Sequence, residues 1–184
     1  MNSIVQEAAR IEGWMSHEEL GWLALMAKKA KTIIEVGSWR GRSTKALALA
    51  TSGCVYAVDH WLDSVNLQYI PGANQTSEII WKAFQTNLAP EIAQGKVIPI
   101  RCNSKTATSQ LEALKVPKAD LIFIDADHSY EAVKKDVETY LPMLASGGVI
   151  SGHDYSTNFP DVVRAINERF PRIKQYDTIW YLDT

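Results

Sequence analysis

Two short stretches concentrate the groups able to move a proton or hold an ion: IDADHSYE at 124–131 and GHDY at 152–155. Between them they offer Asp125, Asp127, His128, His153 and Asp154. An imidazole beside carboxylates suits a general base held in one orientation. The same side chains are also metal ligands. Mg²⁺ prefers an all-oxygen set, whereas a site containing histidine suits Mn²⁺, Fe²⁺ or Zn²⁺. Asp125, His128, His153 and Asp154 are the candidate catalytic residues, and the need for a divalent metal stays open. Asp127 and Ser129 also suit capping of the helix that follows. Tyr130 falls on an apolar stripe and reads as core.

A third stretch, TIIEVGSWRGRST at 32–44, is a run of β-branched residues with an acid, then a glycine turn. A Walker loop needs G-x-x-x-x-G-K-[ST]. Here Gly37 to Gly41 is one residue short, and Arg42 stands in place of lysine. The dinucleotide fingerprint needs glycine where Trp39 stands, so that backbone can approach a pyrophosphate. What remains is E-x-G-x-x-x-G, with Glu35, Ser38 and Ser43 around Gly37 and Gly41. Asp59 follows 22 residues after Gly37, at the end of VYAVDH. An acid there can accept hydrogen bonds from ribose hydroxyls. The pair Glu35 and Asp59 favours a nucleoside with a cationic tail. His60, Trp61 and Ser104 sit at the neighbouring strand ends, with Trp61 able either to stack on a base or to pack as a loop aromatic.

These residues fall where an α/β fold would collect them. Apolar runs at 32–37, 55–60, 96–100, 119–126 and 148–155 read as strands, and 173–184 could supply one or two more. Helical patterns separate them. SHEE at 16–19 is a capping box opening a helix to about Lys29. TSEIIWKAFQTNL and TATSQLEAL are further helices. SYEAVKKDVETYLPML is expected to run on to an SGG stop at 146–148, with Gly147 as its left-handed C-cap. FPDVVRAINERF starts with Pro160 in its first turn. Strands alternating with helices imply a doubly wound, mostly parallel sheet flanked by helices. Ligands of such sheets bind at the carboxyl ends of the strands.

The 184 residues carry 46% hydrophobic and 22% charged side chains and a formal net charge of −2. That balance argues against nucleic acid or an anionic membrane as main partner. No apolar stretch approaches the ~20 residues of a membrane span, and the N-terminus lacks the pattern of a secretory signal. Cys54 and Cys102 fall at opposite ends of their strands, too far apart for a disulfide. Together these features lead to the expectation of a cytoplasmic protein.

Taken together, EVGSWRGRST, IFIDADHSYE and GGVISGHDY resemble the class I S-adenosylmethionine-dependent methyltransferases, and within them the methyltransferase-24 type. The resemblance runs from about Thr32 to Phe170. It implies a Rossmann-like fold over a single domain, 1–184, with N-terminal helices at 1–30 and a cofactor-binding core at 32–184. It implies S-adenosylmethionine as cofactor, held by Glu35, Gly37, Ser38, Gly41, Ser43, Asp59, His60, Trp61, Ser104 and Asp125. It implies methyl transfer, to a hydroxyl of a small molecule. Asp125, His153 and Asp154 then occupy positions like the metal ligands of catechol-type O-methyltransferases, with His-Asp replacing the usual Asp-Asn or Asp-Asp pair. A cofactor-binding module without transfer activity and an NAD-dependent oxidoreductase are the alternatives. The long connection WLDSVNLQYIPGANQTS at 61–77 is expected to lid the site. A homo-oligomer stays open.

Overall fold

The computed structural model describes residues 2–61 and 77–183. Apart from its ends, the expected lid at 61–77 lies outside the described residues. Seven strands form one sheet among the described residues: β1 Thr32–Val36, β2 Cys54–Asp59, β3 Val97–Arg101, β4 Ala119–Ile124, β5 Leu144–Gly152, β6 Lys174–Tyr176 and β7 Ile179–Asp183. Their order is β3-β2-β1-β4-β5-β7-β6. Strands β1 to β5 pair in parallel, while β7 runs antiparallel to both its neighbours. The expected doubly wound sheet is present, and residues 174–183 supply a closing hairpin.

Alternation along the strands builds a core on each face. Ile33, Val55, Leu121 and Phe123 point one way, toward Leu20 and Leu23 of α2 (His17–Ala27), Leu47 of α3 (Arg42–Ala50) and Phe84 of α4 (Ser77–Asn87). Ile34, Val58, Ile122 and Ile150 point the other way. They meet Leu111 of α6 (Ser104–Ala113), Val133 and Val137 of α7 (Tyr130–Tyr140) and Ile166 of α8 (Pro160–Arg169). A strand covered on both faces has no room for polar alternation, hence the continuous apolar runs. Before them comes α1 (Asn2–Ala9), and α5 (Ala89–Ala93) is a short helix absent from the sequence reading. It carries Glu91, whose carboxylate takes both its hydrogen bonds from buried Lys45 at 2.8 Å.

One helix boundary differs from expectation. Helix α7 stops at Tyr140, and Leu141–Met143 form a 3₁₀ turn. Pro142 has no N–H for the helical ladder, so the chain leaves the helix before the glycines. Gly147 keeps its positive φ of 76°, but inside β5. There the pairing with β4 slips: Ala119 faces Leu144 while Leu121 faces Val149. The two cysteines are free, as expected.

Register decides what the site contains. Val36 pairs with Val58 and Ile124, and Ile124 pairs with Gly152. The carboxyl ends of β1, β2, β4 and β5 are therefore level, and the residues just beyond them share one edge. Both arginines of the glycine turn serve the N-terminal segment. Arg42 donates to the carbonyls of Ala9, Ile11 and Met15, and Arg40 pairs with Glu12. They fasten residues 9–15 beside the start of α3.

Candidate active site

The glycine turn is built on close approach between strands. Gly37 has φ +91°, and a Cβ there would overlap the Asp125 carbonyl oxygen and lie 2.7 Å from Ala126 Cα. Its N–H donates to Val58 and the Asp125 N–H donates to Val36, at 2.8 and 2.7 Å. Gly41, φ +90°, leaves room for the side chain of Leu88, the residue between α4 and α5. Both glycines thus give room to neighbouring protein, and at Gly37 that brings the turn against Asp125.

Glu35 is fully buried. Its Oε2 accepts from the Ser38 and Thr44 hydroxyls at 2.6 and 2.5 Å. Ser43 adds a further hydroxyl. Burial pushes the carboxyl up to about 7 despite these donors. Oε1 is buried with no hydrogen bond. Asp59 braces the turn from β2. Its Oδ2 accepts from the Ser38 and Trp39 amides at 3.0 and 2.8 Å, and its Oδ1 from the Trp61 amide at 2.7 Å. A carboxylate has about four acceptor sites, so Asp59 keeps capacity for one ligand donor. His60 stands beside it, half-exposed, 3.8 Å from Oδ1.

Two residues expected near a base are engaged elsewhere. Trp61 is 1% exposed, its ring packed on Trp81 and Phe84 at 4.5 and 4.6 Å. Its indole N–H donates to the Trp39 carbonyl at 2.7 Å. The reading of Trp61 as a cofactor-stacking residue gives way to that of a packed aromatic. The Ser104 hydroxyl supports buried Asp136 of α7, and its carbonyl accepts from the Tyr140 hydroxyl at 2.8 Å. Tyr140→Phe would remove this tie between α7 and the start of α6. We expect it to lower stability by about 0.5–1.5 kcal/mol, read as the shift of a urea unfolding curve.

The titratable cluster forms where β4 and β5 end. His128 Nε2 lies 2.8 Å from Asp154 Oδ2 and 3.7 Å from Asp125 Oδ1. It makes no directed hydrogen bond despite being buried. The contact with Asp154 is an ion contact, and the N–H is aimed off the oxygen. The ring is backed by Phe159 at 4.9 Å. His153 Nδ1 lies 3.5 Å from one oxygen of Asp125 and 3.5 Å from one of Asp154. Its Nε2 meets Glu19 Oε1 at 3.1 Å. Asp154 adopts the left-handed conformation, φ 59°, a strained geometry that turns its carboxylate between the two imidazoles.

The charges are mutually fixed. Burial opposes ionisation of each member, and the neighbours override it. Asp125 is held well below the usual carboxylate range by His153 and His128, and Asp154 is likewise lowered. His128 is raised to about 10 by Asp125 and Asp154. His153 is raised well above its ordinary value by Asp125, Asp154 and Glu19.

All four candidate catalytic residues thus come together. Asp127 does not join them; its Oδ1 accepts the Ser129 amide at 2.7 Å, a turn before α7. Tyr130 is half-buried, its hydroxyl bonded to Glu168. Glu19 and Thr178 were missed. Glu19 announced itself only as part of a capping box, which it forms. Nothing local shows that its second oxygen reaches His153 and Thr178.

Asp125, His128 and Asp154 each bring one donor atom within 4.8 Å of the others. A ligating imidazole must be deprotonated, so an ion there would compete with the proton that the two carboxylates favour on His128. Mg²⁺ disfavours nitrogen, so the donor set suits Mn²⁺, Fe²⁺ or Zn²⁺ better. His153, the other expected ligand, presents Nδ1 to Asp125 and Asp154 and Nε2 to Glu19.

Comparison with known proteins gives a consistent family. A family model described as a methyltransferase domain matches residues 34–155. A curated protein of Sinorhizobium fredii, the uncharacterized protein y4gI, is 28% identical over 148 residues, 77% of this chain. The chain spans only 15% of that relative's length. Among solved structures, an O-methyltransferase from Bacillus cereus in complex with SAH superposes with a TM-score of 0.70 at 19% identity, covering 100% of this chain and 92% of that one. The O-methyltransferase TomG from Streptomyces achromogenes, in complex with SAM, gives 0.70 at 15% identity, covering 99% and 88%. The SAH-bound methyltransferase PaMTH1 of Podospora anserina gives 0.67 at 16% identity, covering 98% and 85%.

Proposed function

The chain belongs to the methyltransferase-domain family, and from that membership we propose that it moves a methyl group from S-adenosylmethionine to the hydroxyl of a small molecule. The observation that carries the reading is the contact between Gly37 and Asp125, which sets the glycine turn against the Asp125–His128–His153–Asp154 cluster. A nucleoside held by the turn then presents its reactive end to a group able to take a proton.

The residues suit this cofactor. Glu35, Asp59 and Asp125 line the level ends of β1, β2 and β4, and Glu35 Oε1 is a buried acceptor in want of a donor. A rim of carboxylates repels the phosphates of a dinucleotide and attracts a cationic ligand. Bound there, S-adenosylmethionine supplies a methyl group activated by its sulfonium. Glu35, Gly37, Ser38, Gly41 and Ser43 form or brace the turn that holds it, Asp59 offers its remaining acceptor site to the ribose, and His60 flanks Asp59. The chain's remaining tasks are to orient the acceptor and remove its proton. His128 is the base: the carboxylates hold its buried Nε2, so its Nδ1 would take the hydroxyl proton as the acceptor oxygen gains the methyl group and S-adenosylhomocysteine departs. Asp154 and Asp125 stabilise the resulting imidazolium and orient the ring.

A small acceptor is favoured by the near-neutral charge of −2, which provides no electrostatic platform for nucleic acid. No helix among the described residues is long and apolar enough to cross a membrane. The free thiols of Cys54 and Cys102 suit a reducing cytoplasm. We read 1–184 as one functional domain.

Calorimetric titration with S-adenosylmethionine, S-adenosylhomocysteine and NAD tests the reading. The first two should bind and NAD should not; binding of NAD alone would overturn it. Asp59→Ala is expected to weaken S-adenosylhomocysteine by about 10- to 100-fold, the worth of one hydrogen bond to a charged group. An unchanged affinity would take Asp59 out of the site.

A further inference from the structure

The connection between α1 and α2 touches both halves of the site. At one end it lies on the glycine turn, where Arg42 holds the carbonyls of Ala9, Ile11 and Met15 and Arg40 pairs with Glu12. At the other end Ser16 caps α2, whose Glu19 meets His153 at 3.1 Å. Trp14 stands between these ends. It is 64% exposed, more than any other large apolar side chain among the described residues, while Ile11 and Met15 beside it are buried.

Trp14 is exposed but not loose. Its ring lies 4.5 Å from that of Trp39, tilted by 37°. Trp39 is fixed in turn. Its amide donates to Asp59 at 2.8 Å, its carbonyl accepts the Trp61 indole N–H at 2.7 Å, and the Arg40 guanidinium lies 4.8 Å from its ring centre. Its backbone is left-handed, φ 42°, a strained state for a bulky residue that persists only where the surroundings impose it. The chain thus holds two indoles together at the glycine turn and leaves the outer one open. Such a face favours a flat partner, because aromatic pairs gain energy beyond their buried area. A puckered ring touches it through fewer atoms. Charge narrows the choice further. Glu35, Asp59 and Asp125 line the neighbouring strand ends, and Arg40 is already paired with Glu12. A ring bearing a carboxylate or phosphate would be repelled there.

We propose that Trp14, carried on Trp39, is a specificity-determining residue: it takes the ring of an uncharged planar phenol and holds the hydroxyl toward the Asp125–His128 cluster. The role of that hydroxyl rests on the methyl-transfer reading, but capture of the ring is measured without turnover, so the two can fail separately.

The test follows the indole N–H signals of the full chain labelled with ¹⁵N. The six tryptophans are assigned by single Trp→Phe replacements. The probe is 2-naphthol, added with and without S-adenosylhomocysteine; trans-2-decalol, a saturated alcohol of the same carbon skeleton, is the comparison. 2-Naphthol should shift Trp14 and Trp39 saturably and leave Trp22 and Trp180 in place. Decalol should bind about 2- to 10-fold more weakly, the worth of an aromatic pair beyond its buried area. Trp14→Ala should weaken 2-naphthol by about 5- to 100-fold, the usual worth of stacking one flat ring on an aromatic side chain. Trp14→Phe keeps a flat face and should recover most of that affinity. Both variants should fold, because the side chain is largely exposed, and S-adenosylhomocysteine should bind them as it binds the wild type. No saturable shift at Trp14, or equal binding of decalol, would overturn the proposal. So would a Trp14→Ala variant that binds 2-naphthol like the wild type, or one that loses S-adenosylhomocysteine to the same extent, since Trp14 would then only shape the turn. Naphthol held by Trp14 in a chain that binds no S-adenosylmethionine would uphold the proposal for the ring and sink the methyl-transfer reading.

Discussion

Replacing His128 by glutamine is expected to lower kcat/KM for methyl transfer by about 10²–10⁴-fold, the usual contribution of a positioned general base. The measurement is S-adenosylhomocysteine release with the best acceptor from a panel of phenols and small alcohols. Affinity for S-adenosylmethionine should change little, because His128 lies beyond the glycine turn. The pH profile is the sharper check. His128 acts as a base only when neutral, and its neighbours raise it to about 10. The wild-type rate should therefore climb from neutral pH toward 10, and the glutamine variant should lose that rise. Stability should move the other way. A histidine raised in the fold stabilises fully below its ordinary value of 6.5, and this contribution is lost as pH rises through about 10. The lowered Asp125 and Asp154 contribute above their ordinary value of 3.8 and lose it as pH falls. The cluster thus supports the fold most between these values, while catalysis improves on its alkaline side. A rate that falls between pH 7 and 9 would count against His128 as the base.

Gly37→Ala should cost at least about 3 kcal/mol of stability, or roughly 6–12 °C in Tm for a chain of this size. Two costs combine. The left-handed φ of +91° is strained for a residue with a side chain, and the new Cβ would collide with backbone at Asp125 and Ala126. Those atoms begin the turn after β4 and cannot retreat without breaking the Asp125–Val36 hydrogen bond. Gly147→Ala is the matched control. It has a similar φ of +76° but nothing within 4 Å of its Cβ position, so it should lose only about 1–2 kcal/mol. Thermal unfolding of the two variants separates conformational strain from strand–strand overlap. Equal losses would show that the Gly37–Asp125 approach is unimportant. Gly37→Ala should also weaken S-adenosylhomocysteine where the protein remains folded, because the turn would lift from the cluster.

Much of this was legible without coordinates. The runs TIIEV and ADLIFI could only be strands covered on both faces, and helical spacing between them left a doubly wound sheet as the economical arrangement. Asp59 and the pairs at 125–128 and 153–154 could be placed at strand ends because strand ends follow from local pattern. The helix over 130–140 was drawn too long because its apolar period continues through Leu141 and Leu144, while Pro142 ends the ladder. Trp61 was ambiguous because nothing in the neighbouring residues shows whether Trp81 and Phe84 lie under its ring.

By itself, then, the sequence determined the fold class, the family resemblance and the edge of the sheet where chemistry would collect. Those are consequences of local periodicity, turn chemistry and short motifs. Only the tertiary structure separates the surroundings of the two histidines. His128 and His153 are equivalent on paper, each adjacent to aspartate. What separates them is Glu19, 134 residues away from His153, delivered by helix packing, and the level strand ends that put both aspartates on one side of the His153 ring. Proton affinity depends on charges within a few ångströms in space, and that distance is a property of the packed sheet, not of the order of residues along the chain.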